Sequence, residues 1–181
     1  MPNIQIRFTT FPRTKPSPKY IWEIIDIFKN HAIDISTNEL KKGLESNQVL
    51  SILSEDLHNI GFEVETGRTQ IQKIHRPVFF GENEEPTLRY EIDAYHPEWK
   101  CGLEIEAGRA IMGNAIFRDL FQALVMVDVD YLCLAVPNSY KYKSGGKGMI
   151  SKDYEKAIAV ADALFGHGRM VIPYRLTVIG Y

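Results

Sequence analysis

The sequence predicts an α/β protein with a mixed central sheet flanked by helices, and three observations carry that prediction. Segments with apolar residues at helical spacing alternate along the chain with short runs of strand character. Between residues 45 and 136 the order is helix, three strands, helix, strand. The chain has 181 residues, 45% of them hydrophobic, enough to bury one substantial core, so a single domain over residues 1–181 is expected.

The first helix follows a proline-punctuated start. Ser17 is placed to cap it, Pro18 to occupy its first position, and Ile21, Ile24, Ile25 and Phe28 fall on one side before it ends near Ala32. A second helix starts at residues 45–47, lines up Val49, Leu50, Leu53, Leu57 and Ile60, and stops at Gly61. A strand over residues 62–66 follows. Residues 87–95 and 100–107 then read as two strands joined in a hairpin by the turn His96-Pro97-Glu98. A helix over residues 111–126 leads into the apolar run 131–136, whose length suits a buried strand. Residues 138–151 read as a loop rich in Gly, Lys, Ser and Tyr. Ser151 could cap a helix ending near Gly166, and residues 170–179 close the pattern as a strand.

Composition excludes several classes of protein. Lys and Arg total 21 against 23 Asp and Glu, a net charge of -2, so any basic surface for nucleic acid must be local. Cys101 and Cys133 sit in apolar strand-like runs without metal-binding spacing, which points to reduced core thiols and a cytoplasmic protein. No segment reaches the roughly 18 apolar residues of a membrane span, and no signal-peptide pattern is present. The histidines are scattered, and none is assigned a catalytic part, although His96 in the hairpin turn is expected close to the site.

Chemistry concentrates in the hairpin. In Leu103-Glu104-Ile105-Glu106 the two glutamates share one face of a strand, and in the neighbouring strand Asp93 points opposite to Ile92. Three carboxylates can therefore converge. Gathered like charges repel and resist desolvation unless a cation neutralises them, and Mg²⁺ takes oxygen ligands of this kind. Glutamate alternating with aliphatics is also the pattern of a half-exposed strand. The meaning of the pair comes from its setting, directly before a helix and a buried strand.

In that setting the stretch from Glu45 to Val136 resembles the PD-(D/E)XK nuclease superfamily. Leu44-Glu45-Ser46-Asn47-Gln48-Val49-Leu50 and Gly61-Phe62-Glu63-Val64-Glu65 are similar to its helix-to-strand opening, followed by Asp93 and then Glu104-Ile105-Glu106. Glu106 stands where the family has lysine. A subset of type II restriction endonucleases has the same ExE variant, and Phe117-Arg118-Asp119-Leu120 is also similar to some of them. The resemblance implies a restriction-endonuclease-like fold and a Mg²⁺-dependent DNA endonuclease, with Mn²⁺ able to substitute. It places metal on Asp93, Glu104, the carbonyl of Ile105 and, as the extra helix carboxylate, Glu45. Glu106 would act on the attacking water. The alternative is a nuclease fold that has lost its chemistry and binds nucleic acid or another partner.

Two regions are candidates for DNA contact. Arg118 and Gln122 lie four apart and share a helix face, which could hold phosphates or be an ordinary solvated stripe. Lys141, Lys143 and Lys147, interleaved with Tyr140 and Tyr142, suit phosphate contact and base stacking, or a solvated loop. Lys100 is a weaker substitute for the missing lysine, being about 13 Å from Glu104 along the strand. A homodimer is expected by analogy, since cutting both strands takes two sites.

Overall fold

The computed structural model describes residues 5–37, 43–108, 110–111 and 113–181. Its elements are β1 (Arg7–Phe11), α1 (Tyr20–Asn30), α2 (Ala32–Ile35), α3 (Ser46–Asn59), β2 (Glu63–Val64), β3 (Ile74–Phe80), β4 (Pro86–Ile92), β5 (Ala94–His96) and β6 (Cys101–Ile105), followed by α4 (Ala115–Val125), β7 (Tyr131–Val136), β8 (Tyr140–Ser144), β9 (Lys147–Ser151), α5 (Asp153–Gly166) and β10 (Arg175–Gly180).

Six strands form the central sheet in the order β1-β10-β7-β6-β5-β2. β6, β7 and β10 run parallel, while β1, β5 and β2 pair antiparallel with their neighbours. The sheet is mixed and covered on both faces, as a parallel centre requires. Alternation along β7 sends Tyr131, Cys133 and Ala135 into a core with α1 and α3, and Leu132, Leu134 and Val136 into a second core with α4 and α5. The two cysteines are buried and free, as expected of core thiols. Among the described residues no helix is long and apolar enough to cross a membrane.

The second helix ends as read. Gly61 adopts φ +100, and the Phe62 amide bonds back to the Leu57 carbonyl while the Gly61 amide bonds to that of His58, a Schellman closure. The first helix starts later than expected: Lys19 holds the cap position without a side-chain cap bond, so Ser17 and Pro18 lead up to the helix rather than begin it. Ser151 belongs to β9, and its hydroxyl donates to Asp153 in the first turn of α5.

Three readings are corrected. The proline-punctuated start contains a strand, β1, held against β10 by its backbone ladder. The strand expected over residues 87–95 is two. β4 pairs with β3 in a separate hairpin, the chain bends at Asp93, and β5 continues in the central sheet. Ile92 then lies in the α4 core and Ala94 in the α1 core. The loop over residues 138–151 is a hairpin, because Gly145 (φ +57) and Gly146 (φ +79) supply the two positive φ angles that a two-residue turn needs.

Candidate active site

β6 positions the first acid. Cys101, Leu103 and Ile105 enter the α1 core, so Glu104 faces the α4 side, where it is only 7% exposed. Asp93 sits at the bend between β4 and β5, and its Oδ2 accepts a hydrogen bond from the Ile105 amide at 2.8 Å. The Glu65 amide in turn donates to the Asp93 carbonyl at 2.9 Å, fastening the residues after β2 beside the same bend.

Asp93 and Glu104 line one cleft of about 990 Å³. The β3–β4 hairpin forms one wall, through residues such as His75, Leu88 and Tyr90, and α4 forms the other through Arg118, Asp119 and Gln122. Glu106 follows β6 directly, its amide continuing the ladder to the Ala135 carbonyl. Its carboxylate accepts from Arg118 Nη2 at 3.0 Å, while Arg118 Nε donates to Asp119 Oδ1 at 3.0 Å.

The electrostatics of this cluster are those of acids short of cations. Burial, then the charges of Glu65 and Asp119, raise the Asp93 carboxyl to about 7 against the pull of the Ile105 amide and Lys73. Burial, then Asp93, Asp119 and Glu106, hold Glu104 well above the usual carboxylate range. Burial and the charge of Asp119 raise Glu106 to about 8, although Arg118 opposes the rise. Asp119 is 1% exposed, and its Oδ2 has no hydrogen-bond partner among the described residues. A hydrogen bond between the Glu106 and Asp119 carboxyls further favours the protonated form of Glu106.

These side chains fit a divalent cation in chemistry: hard oxygen donors, buried (Glu104, Asp119) or half-buried (Asp93, Glu106), mutually repelling, with one orphaned oxygen among them. They are not drawn into a ready-made cage. Among the described residues no three His, Cys, Asp or Glu side chains are so arranged. Arg118 stands between Glu106 and Asp119, and Asp93 leans on the Ile105 amide.

Several sequence-predicted residues lie elsewhere than expected. Glu45 is exposed and outside the cleft. It takes the N-cap position of α3, its amide donating to Gln48 Oε1 at 2.9 Å. Its neighbour Ser46 accepts from the Ala107 amide at 3.1 Å, so the start of α3 abuts the end of the glutamate strand. Lys100 pairs with Asp130 at 3.5 Å and makes no substitute for the missing lysine. His96 is a packing residue, stacked on Trp99 at 3.7 Å and bonded through Nε2 to the Ile60 carbonyl. It lies three residues from Asp93, about 10 Å along the strand. Lys141 and Lys147 are exposed on the β8–β9 hairpin; the side chain of Lys143 lies outside the described residues. Tyr140, at the hairpin's foot, lies against Gly108 just beyond Glu106, and a Cβ at Gly108 would come within 2.9 Å of its ring.

Three cleft residues had no assignment from sequence. Glu65 and Lys73 form an ion pair at 2.7 Å beside Asp93, and Asp119 packs under Arg118. Asp119 was visible in the Arg118-Asp119 pair, but a helix charge reads as solvated until the helix is placed.

The fold defined by this sheet and its helices is that of restriction endonucleases. A crystal structure of the restriction endonuclease BglII complexed with a DNA 16-mer superposes with a TM-score of 0.52 over 97% of this chain and 77% of that one, at 11% sequence identity. No family model and no curated protein matches the sequence.

Proposed function

We propose that this protein is a divalent-cation-dependent nuclease that hydrolyses phosphodiester bonds in DNA, acting as a restriction-type endonuclease with Mg²⁺ or Mn²⁺. One observation carries the reading: Asp93, at the bend between β4 and β5, and Glu104, in β6, line one cleft and are left short of positive charge. The BglII structure is a DNA complex, and the likeness in fold makes DNA the natural substrate to test first.

In this reading Asp93, Glu104 and the Ile105 carbonyl hold the cation. The bound ion supplies Lewis acidity toward the scissile phosphate and a more acidic water. Burial of Asp93 and Glu104 keeps bulk water from weakening that interaction. Glu106, once ionised, accepts the proton of the attacking water, and its high proton affinity suits a base near neutral pH. Arg118 and Gln122 on α4 and the lysines of the β8–β9 hairpin bind the phosphate backbone. Cutting both strands would need a second copy of the site, hence a homodimer.

The test is direct. Purified protein incubated with DNA and Mg²⁺ or Mn²⁺ should nick or cleave it and stop on addition of EDTA, and Asp93→Ala and Glu104→Ala should abolish cutting. A second reading, a nuclease fold that binds DNA without cutting it, draws on the Arg118 contact to Glu106 and the absence of lysine at that position. DNA binding with no cleavage under any metal condition would select it.

A further inference from the structure

Outside the cleft of the acids lies a second hollow, of about 450 Å³, between α3 and residues 64–68. Along α3, Asn47, Ser51, Ser54 and His58 recur at intervals of four, three and four residues and so form one polar stripe, while Val49, Leu53 and Leu57 turn into the core. The opposite wall is the segment Thr66-Gly67-Arg68, which is braced in place: the Thr66 amide donates to the Gln72 carbonyl at 3.1 Å, the Gln72 amide to that of Thr69 at 2.9 Å, and the Thr69 hydroxyl to Gln72 Oε1 at 2.8 Å. The charges of this hollow are out of balance. Glu65, the one acid lining it, gives its carboxylate to Lys73 at 2.7 Å on the side of the neighbouring cleft, whereas no side chain among the described residues engages Arg68. Ser54 commits its hydroxyl hydrogen to the Ser51 carbonyl, but the hydroxyls of Ser51 and Thr66 and the amide of Asn47 have no partner among the described residues. His58 Nδ1 donates to the Phe62 carbonyl at 2.9 Å, since a carbonyl can only accept, and Nε2 is left uncommitted.

We propose that this hollow is an anion site that holds a phosphate group, with Arg68 supplying the charge and Asn47, Ser51 and Thr66 the remaining hydrogen-bond donors. The planar fork of an arginine matches two oxygens of a phosphate, and short hydroxyl and amide side chains beside it serve the others. Freedom from acids separates Arg68 from Arg118, whose guanidinium Glu106 and Asp119 already share. The position of the hollow names the source of the phosphate. It meets the cleft at Glu65, just past the edge strand β2, where the Glu65 amide is bonded to the Asp93 carbonyl. From Glu65 to Arg68 is three residues, at most about 10 Å of extended chain. Here the inference rests on the nuclease reading: a nucleic-acid strand with its scissile phosphate at Asp93 and Glu104 lays a neighbouring phosphate on Arg68 as it leaves the cleft around the edge of the sheet. Such a contact carries no sequence information and instead fixes the register of the strand against the acids.

Phenylglyoxal, which modifies accessible guanidinium groups, reads the site in the wild-type protein, in EDTA and so without cutting. Saturating inorganic phosphate should slow the modification of Arg68, followed by mass spectrometry of its peptide, and leave that of the exposed Arg169 unchanged. Asn47→Ala combined with Ser51→Ala should abolish the protection, with circular dichroism checking the fold. A short DNA duplex in EDTA should protect Arg68 as well, and Arg68→Gln should weaken duplex binding, measured by fluorescence anisotropy, about tenfold and lower its salt slope by about one. An Arg68 modified at the same rate with and without phosphate overturns the site, and so does a protection that survives the double variant in folded form. Protection by phosphate, with duplex binding absent or untouched by Arg68→Gln, keeps the anion site and overturns nucleic acid as its source. A protein that cuts no DNA under any metal condition, yet whose Arg68 is protected by both probes, keeps the site and loses the nuclease reading. One that cuts through Asp93 and Glu104 while phosphate leaves Arg68 unprotected keeps the nuclease and loses the site.

Discussion

The Asp93 carboxylate is held by the main chain of the strand that carries the glutamates, its Oδ2 accepting from the Ile105 amide at 2.8 Å. The contact fixes one carboxylate oxygen and leaves the other to the cleft. It also ties Asp93 to the residue between Glu104 and Glu106.

That contact makes Asp93→Asn a clean test of chemistry. Asparagine can still accept from the Ile105 amide while losing the negative charge, so the fold should persist and cleavage should drop by roughly 10²-fold or more. Glu104→Gln should behave alike. Thermal unfolding should show neither variant less stable than wild type, because each removes a repelling buried charge. Full cleavage by either variant would remove these residues from the site.

The raised carboxyls predict the pH dependence of stability. Asp93 titrates at about 7 and Glu106 at about 8 in the folded protein, above the ordinary 3.8 and 4.5, so the folded state binds protons that the unfolded chain has released. Their contribution therefore favours folding below about pH 4, and is progressively lost as pH rises to about 8. Metal-free protein should melt at a lower temperature near pH 8.5 than near pH 5, with the difference shrinking in Asp93→Asn. Added Mg²⁺ should restore stability at about pH 8.5 and do little at about pH 5, where protons compete for the same oxygens. A melting temperature indifferent to Mg²⁺ at the higher pH would count against cation binding by these acids.

The β8–β9 hairpin predicts a salt effect. Replacing Lys141, Lys143 and Lys147 together by Ala should weaken DNA binding and flatten its dependence on salt by about one logarithmic unit per lost phosphate contact. Mn²⁺ binding should be untouched. Fluorescence anisotropy at several salt concentrations measures both quantities, and an unchanged slope would send the search for the DNA path elsewhere. The N-terminal arginines are poor candidates, since Arg7 bonds Glu155 and Asn138, and Arg13 grips Asp162 with both carboxylate oxygens engaged.

Gly61 predicts a stability cost far from the cleft acids. Its φ of +100 disfavours any side chain, and a Cβ there would meet His96 Nε2 at 2.8 Å. Gly61→Ala should cost roughly 1–3 kcal/mol by chemical denaturation. A neutral result would mean that His96 yields freely, against its stacking on Trp99 and its bond to Ile60.

The elements legible in the sequence were those whose burial follows one period. α3 carries Val49, Leu50, Leu53 and Leu57 at helical spacing, and β7 is apolar throughout because both of its faces are covered. The alternation that turns Glu104 away from Ile105 was legible for the same reason. β1 was hidden because most of it is half-buried at an edge and Pro12 follows at once. β3 was hidden by Pro77 and by its place in a hairpin away from the central sheet. Gly145-Gly146 was the signal for the β8–β9 hairpin, obscured by the lysines around it. Glu65, Lys73 and Asp119 could not be read as site residues, since they reach the cleft from three separate elements whose meeting is a matter of topology.

The sheet order carries a consequence for synthesis. β10 lies between β1 and β7, yet it is translated long after both. Until residues 175–180 leave the ribosome, β1 has no strand to pair with and β7 presents an open, wholly apolar edge, a template for pairing with other chains. At some 5–20 residues per second, that interval lasts for seconds. A nascent chain stalled ahead of Arg175 should therefore associate with chaperones or with its neighbours on the same polysome, and release soon after the last strand closes the gap.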